Sequence, residues 1–253
     1  MDELQRPGGE LASRPLHFFW MVDCSGSMLS DGKMDIVNNA IQECVPEMEV
    51  EADNNPNAQL LIRALQFSTG ASWITANPVP VETYGWEPLE ASGVTDMGKA
   101  FELLAAQLGI PPMPTRALPP VIVLLSDGQP TDDYKKGLDK LKALPWFKKA
   151  VKIAISIGKD ADDDVLSEFT GNRELVLQAN NPTALVKMIK WASTTASMVS
   201  APSSKPMNVD DEPKATGASG GNDPFAPANN GAPLILDMSN IPNPDDFDEG
   251  AVW

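Results

Sequence analysis

From Leu16 to Val22 every residue except His17 is apolar, and the run passes without a spacer into Asp23-Cys24-Ser25-Gly26-Ser27. An apolar run this continuous has no polar face to offer solvent. It predicts a central strand covered on both sides, and therefore a sheet with helices packed above and below it. One carboxylate and two hydroxyls, spaced two residues apart just past that strand, can converge on a point above the sheet edge. Such oxygen donors suit a hard divalent cation. Three of them leave an octahedral shell incomplete, so further ligands are expected from other loops.

The remaining elements follow by periodicity. Met34, Val37, Ile41, Cys44, Val45 and Met48 recur at helical spacing, and the helix is expected to end before the polar run Glu51 to Asn57. Leu60 to Phe67 reads as a second strand. Ala71 to Ile74 and Val79 to Val81 read as a short edge hairpin, with Pro78 and Pro80 suited only to an edge. A Pro- and Gly-punctuated segment from Thr83 to Val94 leads to a helix with Thr95 or Asp96 as its cap, buried through Met97, Ala100, Phe101, Leu104 and Leu108. After the proline-rich connection Pro111 to Pro120, Val121 to Leu125 is a second unbroken apolar strand, ended by Ser126-Asp127-Gly128. Then come a helix from Tyr134 to Leu144, a strand from Val151 to Ile157, an acid-started helix from Asp162 to Phe169, and a strand from Leu175 to Gln178. The last helix has Asn181 as cap and Pro182 at its first position.

Strands alternating with helices predict a doubly wound α/β fold. Its mostly parallel central sheet carries helices on both faces and one antiparallel edge strand. Ligands of such sheets bind beyond the carboxyl ends of the strands, where the winding switches direction. Asp23, Thr95 and Asp127 all lie at or beyond strand ends. The domain is expected over residues 15–198, after a flexible lead-in at 1–14 and before a disordered, proline-rich, acidic tail at 199–253. In that tail nine acids outnumber two lysines, and Pro233-Leu234-Ile235-Leu236 and Phe247 to Trp253 stand out as apolar docking motifs.

A formal charge of −16 and a pI near 4.3 exclude recognition of nucleic acid or an anionic membrane through a basic face. Proteins and cations are the expected partners. No apolar run approaches the roughly 20 residues of a membrane span and Met1 to Pro15 has no hydrophobic core, which points to the cytoplasm. Cys24 and Cys44 are read as free thiols.

Asp23-x-Ser25-x-Ser27, a lone Thr95 at a helix start and Asp127 after an apolar strand together resemble the metal-ion-dependent adhesion site of the von Willebrand factor A (VWA) domain family, over residues 15 to 198. The resemblance implies that Ser25, Ser27 and Thr95 coordinate a divalent cation, usually Mg²⁺. It implies that Asp23 and Asp127 act mainly through bound water. The metal set is then Asp23, Ser25, Ser27, Thr95 and Asp127, with Mg²⁺, Mn²⁺ or Ca²⁺ as the ion. Leu118 to Asp133, with its proline-rich approach, resembles the bacterial cytoplasmic TerY-like members, associated with tellurium-resistance and stress-response systems and thought to act beside protein kinases, phosphatases and metal-linked partners. A cation held by two carboxylates and three neutral hydroxyls has room for another anion, which a partner's Asp or Glu can supply.

The expected function is thus a non-enzymatic, cation-dependent protein–protein interaction module. The alternatives are a regulatory subunit of an ATPase or chelatase machine, and a metal-dependent phosphohydrolase. Gly26 to Lys33 fails as a phosphate loop because Ser27 stands where glycine is needed and Met34 where Ser or Thr is needed. No activated nucleophile with a base is evident. His17 is the only histidine, which excludes the usual zinc sites and histidine triads and leaves it a structural role. Asp160, Asp162, Asp163 and Asp164 imitate a calcium loop, but Val165 replaces its glycine and a helix-start cluster is expected. Trp86 and Leu89 offer either a partner surface or packing beneath the loop before Thr95. A carboxylate of the tail (Asp237, Asp245, Asp246 or Glu249) is also able to reach the metal in cis.

Overall fold

The computed structural model describes residues 13–127, 129–159 and 161–200. Most of the expected lead-in and tail, together with Gly128 and Asp160, lies outside these residues. The described residues form seven strands, six α-helices and three 3₁₀ turns. The strands are β1 (Arg14–Asp23), β2 (Ala58–Ser68), β3 (Gly70–Trp73), β4 (Val79–Pro80), β5 (Val121–Ser126), β6 (Val151–Ile157) and β7 (Val176–Ala179). The helices are α1 (Lys33–Asp53), α2 (Met97–Gln107), α3 (Tyr134–Ala143), α4 (Pro145–Lys149), α5 (Asp163–Thr170) and α6 (Pro182–Ser200).

They form one sheet in the order β3-β2-β1-β5-β6-β7, with β4 also on β2. The β1–β2, β1–β5, β5–β6 and β6–β7 pairs are parallel, and β3 and β4 run antiparallel to β2. Alternation along β1 serves both faces of the sheet. Phe18, Trp20 and Val22 pack with α1 and α6, while Phe19 and Met21 pack with α2, α3, α4 and α5. The doubly wound α/β fold with helices on both faces is therefore what the chain adopts. β2 and β5 flank β1 on opposite sides, so the carboxyl ends of β1 and β5 border the crevice where the winding reverses.

Several boundaries and pairings differ from the sequence expectation. α1 runs on to Asp53, into the polar segment expected to follow it, because half-exposed and exposed residues suit a helix end that needs no buried face. β3 and β4 do not form a hairpin with each other. Each pairs with β2, at Leu65 to Ser68 and at Leu61 and Ile62 respectively. Arg63 holds the connection between them against the sheet: its guanidinium donates to Thr75 O at 3.1 Å and Ala76 O at 2.6 Å, donates to Gln107 Oε1 at 2.6 Å, and stacks 3.8 Å from the Trp73 ring. Leu175 belongs to a 3₁₀ turn rather than to β7. Pro145 starts the short helix α4, which burial of Trp146 and Phe147 anchors and which was not expected. Asn181 caps α6 as expected, its Oδ1 accepting from Ala184 N at 2.8 Å.

His17 is buried in β1, stacked on Phe19, and neither ring nitrogen has a hydrogen-bond partner among the described residues. Desolvation, with the Arg63 charge second, lowers its pKa from 6.5 to about 4. Between those values the unfolded chain binds a proton that the folded chain refuses, so stability present above pH 6.5 is lost as the pH falls toward 4. His17→Leu removes this proton linkage. On going from pH 7.5 to pH 4.5 the wild type should lose about 2 kcal/mol more unfolding free energy than the variant, read by urea denaturation. Equal losses would mean that His17 is solvated or paired.

Candidate metal centre

The site is built where β1 ends. Asp23 is fully buried, and both of its carboxylate oxygens are engaged. Ser25 N–H donates to Oδ1 at 2.8 Å, and the Ser126 hydroxyl at the end of β5 donates to Oδ2 at 2.6 Å. Burial nevertheless pushes the Asp23 pKa up from 3.8 to about 6, with these hydrogen bonds opposing and the Asp127 charge reinforcing the shift. Burial and a neighbouring acid thus both oppose its charge. A buried carboxylate acted on by a second acid is an arrangement that a bound cation relieves.

Ser25 and Ser27 follow on the same turn, with their hydroxyl oxygens 2.9 Å apart. In an octahedral shell with bonds of about 2.1 Å, neighbouring ligand oxygens stand about 3 Å apart. The two hydroxyls are already at that spacing. Ser25 is 2% exposed while Ser27 faces solvent, so the cluster opens outward on the Ser27 side. Cys24, between Asp23 and Ser25, points the other way: its thiol donates to Val22 O at 3.7 Å and it packs in the core. Cys24 and Cys44 are both free and buried, with burial raising each thiol to about 12, so neither is a thiolate ligand.

Backbone hydrogen bonds gather the other loops around this turn. Cys24 N donates to Phe67 O at 2.8 Å, Ser92 N to Cys24 O at 2.7 Å, and Gly26 N to Gly93 O at 3.1 Å. Gly93 has φ +79°, a left-handed conformation that lets the chain turn here. Thr95 follows at 5% exposure, clamped by exchange with Thr131: Thr95 N donates to Thr131 Oγ1 at 3.0 Å, and Thr131 N to Thr95 O at 2.9 Å. Asp127, also 5% exposed, is fixed from the far side, its carbonyl accepting from Asp162 N at 2.8 Å. Asp23, Ser25 and Ser27 thus form one cluster, Asp127 lies near enough for its charge to act on Asp23, and the clamped segment 92–96 is tied to the same turn by backbone hydrogen bonds.

Residues outside the expected set do much of the positioning. Ser126 orients Asp23. Asp132 caps α2, accepting from Gly98 N at 2.8 Å and Lys99 N at 3.0 Å. Neither Thr95 nor Asp96 caps that helix with its side chain, contrary to expectation; Asp96 instead accepts from Gly70 N at 2.8 Å and from the Lys99 ammonium. Nothing in local spacing could reveal a cap 34 residues away. Trp86 and Leu89 resolve to packing: the Asn38 side chain accepts from Trp86 Nε1 at 3.1 Å and Leu89 N at 2.8 Å and donates to Leu89 O at 2.9 Å, and both residues lie against the core. Asp162 caps α5, so the acids there start a helix, as expected.

The donors fit a hard dication. They are two carboxylates and three hydroxyls, and among the described residues no three His, Cys, Asp or Glu side chains gather as a softer or more acidic alternative. No protein-family model and no curated protein matches the chain in sequence. Solved structures do match it. A von Willebrand factor type A protein from Catenulispora acidiphila aligns with 73% of this chain and 43% of its own, at TM-score 0.55 and 15% identity. The pilus adhesin SpaC from Lactobacillus rhamnosus GG, in its open conformation, aligns over 75% and 31%, at 0.60 and 13%. Proximal thread matrix protein 1 from the mussel byssus, with a zinc-occupied MIDAS motif, aligns over 74% and 47%, at 0.54 and 17%. The chain has the VWA fold.

It spans less than half the length of each of these three proteins. In this VWA fold the candidate cluster occupies the crevice between β1 and β5, the position that the doubly wound topology reserves for a ligand. Among the described residues no helix is long and apolar enough to cross a membrane.

Proposed function

We propose that the chain is a divalent-cation-dependent protein–protein interaction module, and not an enzyme. Asp23, Ser25, Ser27, Thr95 and Asp127 hold Mg²⁺ in this reading, with Mn²⁺ or Ca²⁺ able to take the same oxygen donors. The cation, when bound, supplies a Lewis-acidic position that a partner's Asp or Glu completes. The residues of the chain supply the rest. Ser25 and Ser27 present paired oxygens, Ser126 fixes the Asp23 carboxylate, Thr131 clamps the backbone of Thr95, and the exposed Ser27 side leaves an approach for the partner.

The observation that carries the reading is the buried Asp23, acted on by the Asp127 charge, next to two hydroxyls at ligand spacing. The zinc-occupied MIDAS of the mussel thread protein supports a divalent cation on this fold, and the adhesin supports its use for binding other macromolecules. The finer placement rests on the resemblance of Leu118 to Asp133 to TerY-like proteins: a cytoplasmic bacterial stress-response system of the tellurium-resistance type, with kinases, phosphatases or other stress proteins as partners. Residues 15–198 form the module, and 1–14 and 199–253 flank it.

Calorimetric titration of Mg²⁺, Mn²⁺ and Ca²⁺ into wild type and Thr95→Ala tests the site. Saturable binding in the wild type should weaken about 10- to 100-fold in the variant. A partner captured in Mg²⁺ should be released by EDTA and recaptured when Mg²⁺ is restored. Cation binding indifferent to Thr95→Ala, or capture indifferent to chelation, sinks the proposal.

A further inference from the structure

Ser126 on β5 and Ser156 on β6 are both buried and are paired across the ladder, and Ser156 pairs in turn with Gln178 on β7. They stand two residues beyond Leu124, Ala154 and Val176, which pack on the α5 side of the sheet, and alternation puts all three polar residues on that same face. A polar row therefore runs along the carboxyl edge of the sheet. It begins at Asp23, whose Oδ2 accepts from the Ser126 hydroxyl, and ends at Gln178.

A buried hydroxyl in an apolar strand needs a partner. Ser156 finds one in Asp163 at the start of α5: its hydroxyl donates to Asp163 Oδ1 at 2.7 Å, and the Gln178 amide donates to Asp163 Oδ2. An acid in the first turn of a helix ordinarily stays in solvent and gains from the dipole alone. Asp164 is of that kind, exposed and paired with Arg173 on the surface. The Asp163 carboxylate instead turns back onto β6 and β7 and staples α5 to them.

What the staple holds lies at the candidate cation site. Asp127 is the first residue past the β5–β6 ladder, whose last pair is Ser126 with Ser156, and its carbonyl accepts from Asp162 N at 2.8 Å. Asp162 is fixed to α5 by its own carboxylate, which accepts from Asp164 N at 3.2 Å and Val165 N at 3.4 Å. Its N–H therefore stands wherever the first turn of α5 stands.

We infer that Asp163 is a positioning residue for the cation site: by stapling the first turn of α5 to β6 and β7, it keeps Asp162 N–H on the carbonyl of Asp127 and so sets where the Asp127 carboxylate points. This rests on the metal-site reading above. It gives the acids that start α5 a role beyond capping.

The test titrates Mg²⁺ by calorimetry into the full-length chain and follows hydrogen exchange of the Asp162 amide in EDTA. Asp163→Ala should bind Mg²⁺ about tenfold more weakly than the wild type, and its Asp162 amide should exchange faster. Asp163→Asn should stay within about twofold of wild-type affinity, because its oxygen can accept from Gln178 and its nitrogen can donate to the Ser156 hydroxyl. Phe169→Leu, at the far end of α5 where Phe169 packs on Phe101 and Phe147, should lower stability to urea and leave Mg²⁺ affinity unchanged. If Asp163→Ala does not fold, Gln178→Ala removes one of the two staple bonds from an exposed position and should weaken binding about threefold. Four results overturn the inference while leaving the metal site standing. They are wild-type affinity in Asp163→Ala (or in Gln178→Ala, where that variant stands in for it), unchanged exchange of the Asp162 amide, an Asp163→Asn variant as weak as Asp163→Ala, which would make the charge and not the staple responsible, or an equal loss of affinity in Phe169→Leu. No saturable binding in the wild type overturns the metal-site reading and this inference together.

Discussion

Asp23→Asn should abolish saturable cation binding and, in EDTA at pH 7.5, should make the domain more stable than the wild type. The two effects share a cause. Asp23 has a folded pKa of about 6 against 3.8 for an ordinary carboxylate, because burial disfavours its charge. A raised folded pKa means that the protonated form is the stabilising one. Its contribution is complete below about pH 3.8 and is lost as the pH rises through about 6, so at pH 7.5 the ionised group costs about 3 kcal/mol. The amide removes that charge and keeps the shape. Its oxygen can still accept from Ser25 N, and its nitrogen can donate to the Ser126 hydroxyl.

The variant should therefore gain about 1 to 3 kcal/mol in EDTA at pH 7.5, and the gain should shrink toward zero near pH 4. Mg²⁺ at 100 times its dissociation constant should reverse the ranking, since binding at that level would stabilise the wild type by about 2.7 kcal/mol and the variant not at all. Urea denaturation with and without Mg²⁺ at the two pH values reads all four conditions. A variant less stable than the wild type in EDTA at neutral pH would show that Asp23 is compensated within the protein and has no need of a cation.

Gly137→Ala is the second large effect, and its sign opposes helix propensity. Alanine is about 1 kcal/mol better than glycine in a helix interior. Here, however, Gly137 on α3 meets α2 at Gly98: a Cβ would collide with the Gly98 carbonyl oxygen and lie 3.0 Å from Phe101 Cβ. Backbone cannot give way as a side-chain tip can, so α3 must move off α2, at a cost of about 2 to 3 kcal/mol. The displacement also reaches the site. The segment leading into α3 carries Thr131, which clamps Thr95, and Asp132, which caps α2. Cation affinity should fall with stability, while Lys136→Ala, on the exposed side of α3, changes both by less than about 0.5 kcal/mol. A Gly137→Ala protein of wild-type stability would mean that α2 and α3 have slack.

Apolar periodicity made most of the fold legible. The unbroken runs of β1 and β5 and the 3.6-residue stripes of α1, α2 and α6 each report burial that a residue's own neighbours also share. Of the candidate site, the turn itself was legible, since Asp23, Ser25 and Ser27 lie two residues apart and the end of β1 brings their oxygens together. α4 escaped because five residues are too few to show a period. The partner of β3 and β4 escaped because two short edge segments carry no mark of which strand they face; the fixing groups, Arg63 with Trp73, Thr75, Ala76 and Gln107, come from three different stretches.

The sequence by itself determined a sheet buried on both faces and a hard-oxygen turn at the end of its first strand, because covalent spacing and side-chain polarity suffice for both. Only the tertiary structure decided that Ser126 orients Asp23, that Thr131 clamps Thr95, that Asp132 caps α2 and that Trp86 and Leu89 pack under Asn38. These are contacts between residues far apart in the chain. A hydrogen bond depends on where two atoms meet in space, and that meeting exists only once β1, β5 and α2 are packed together.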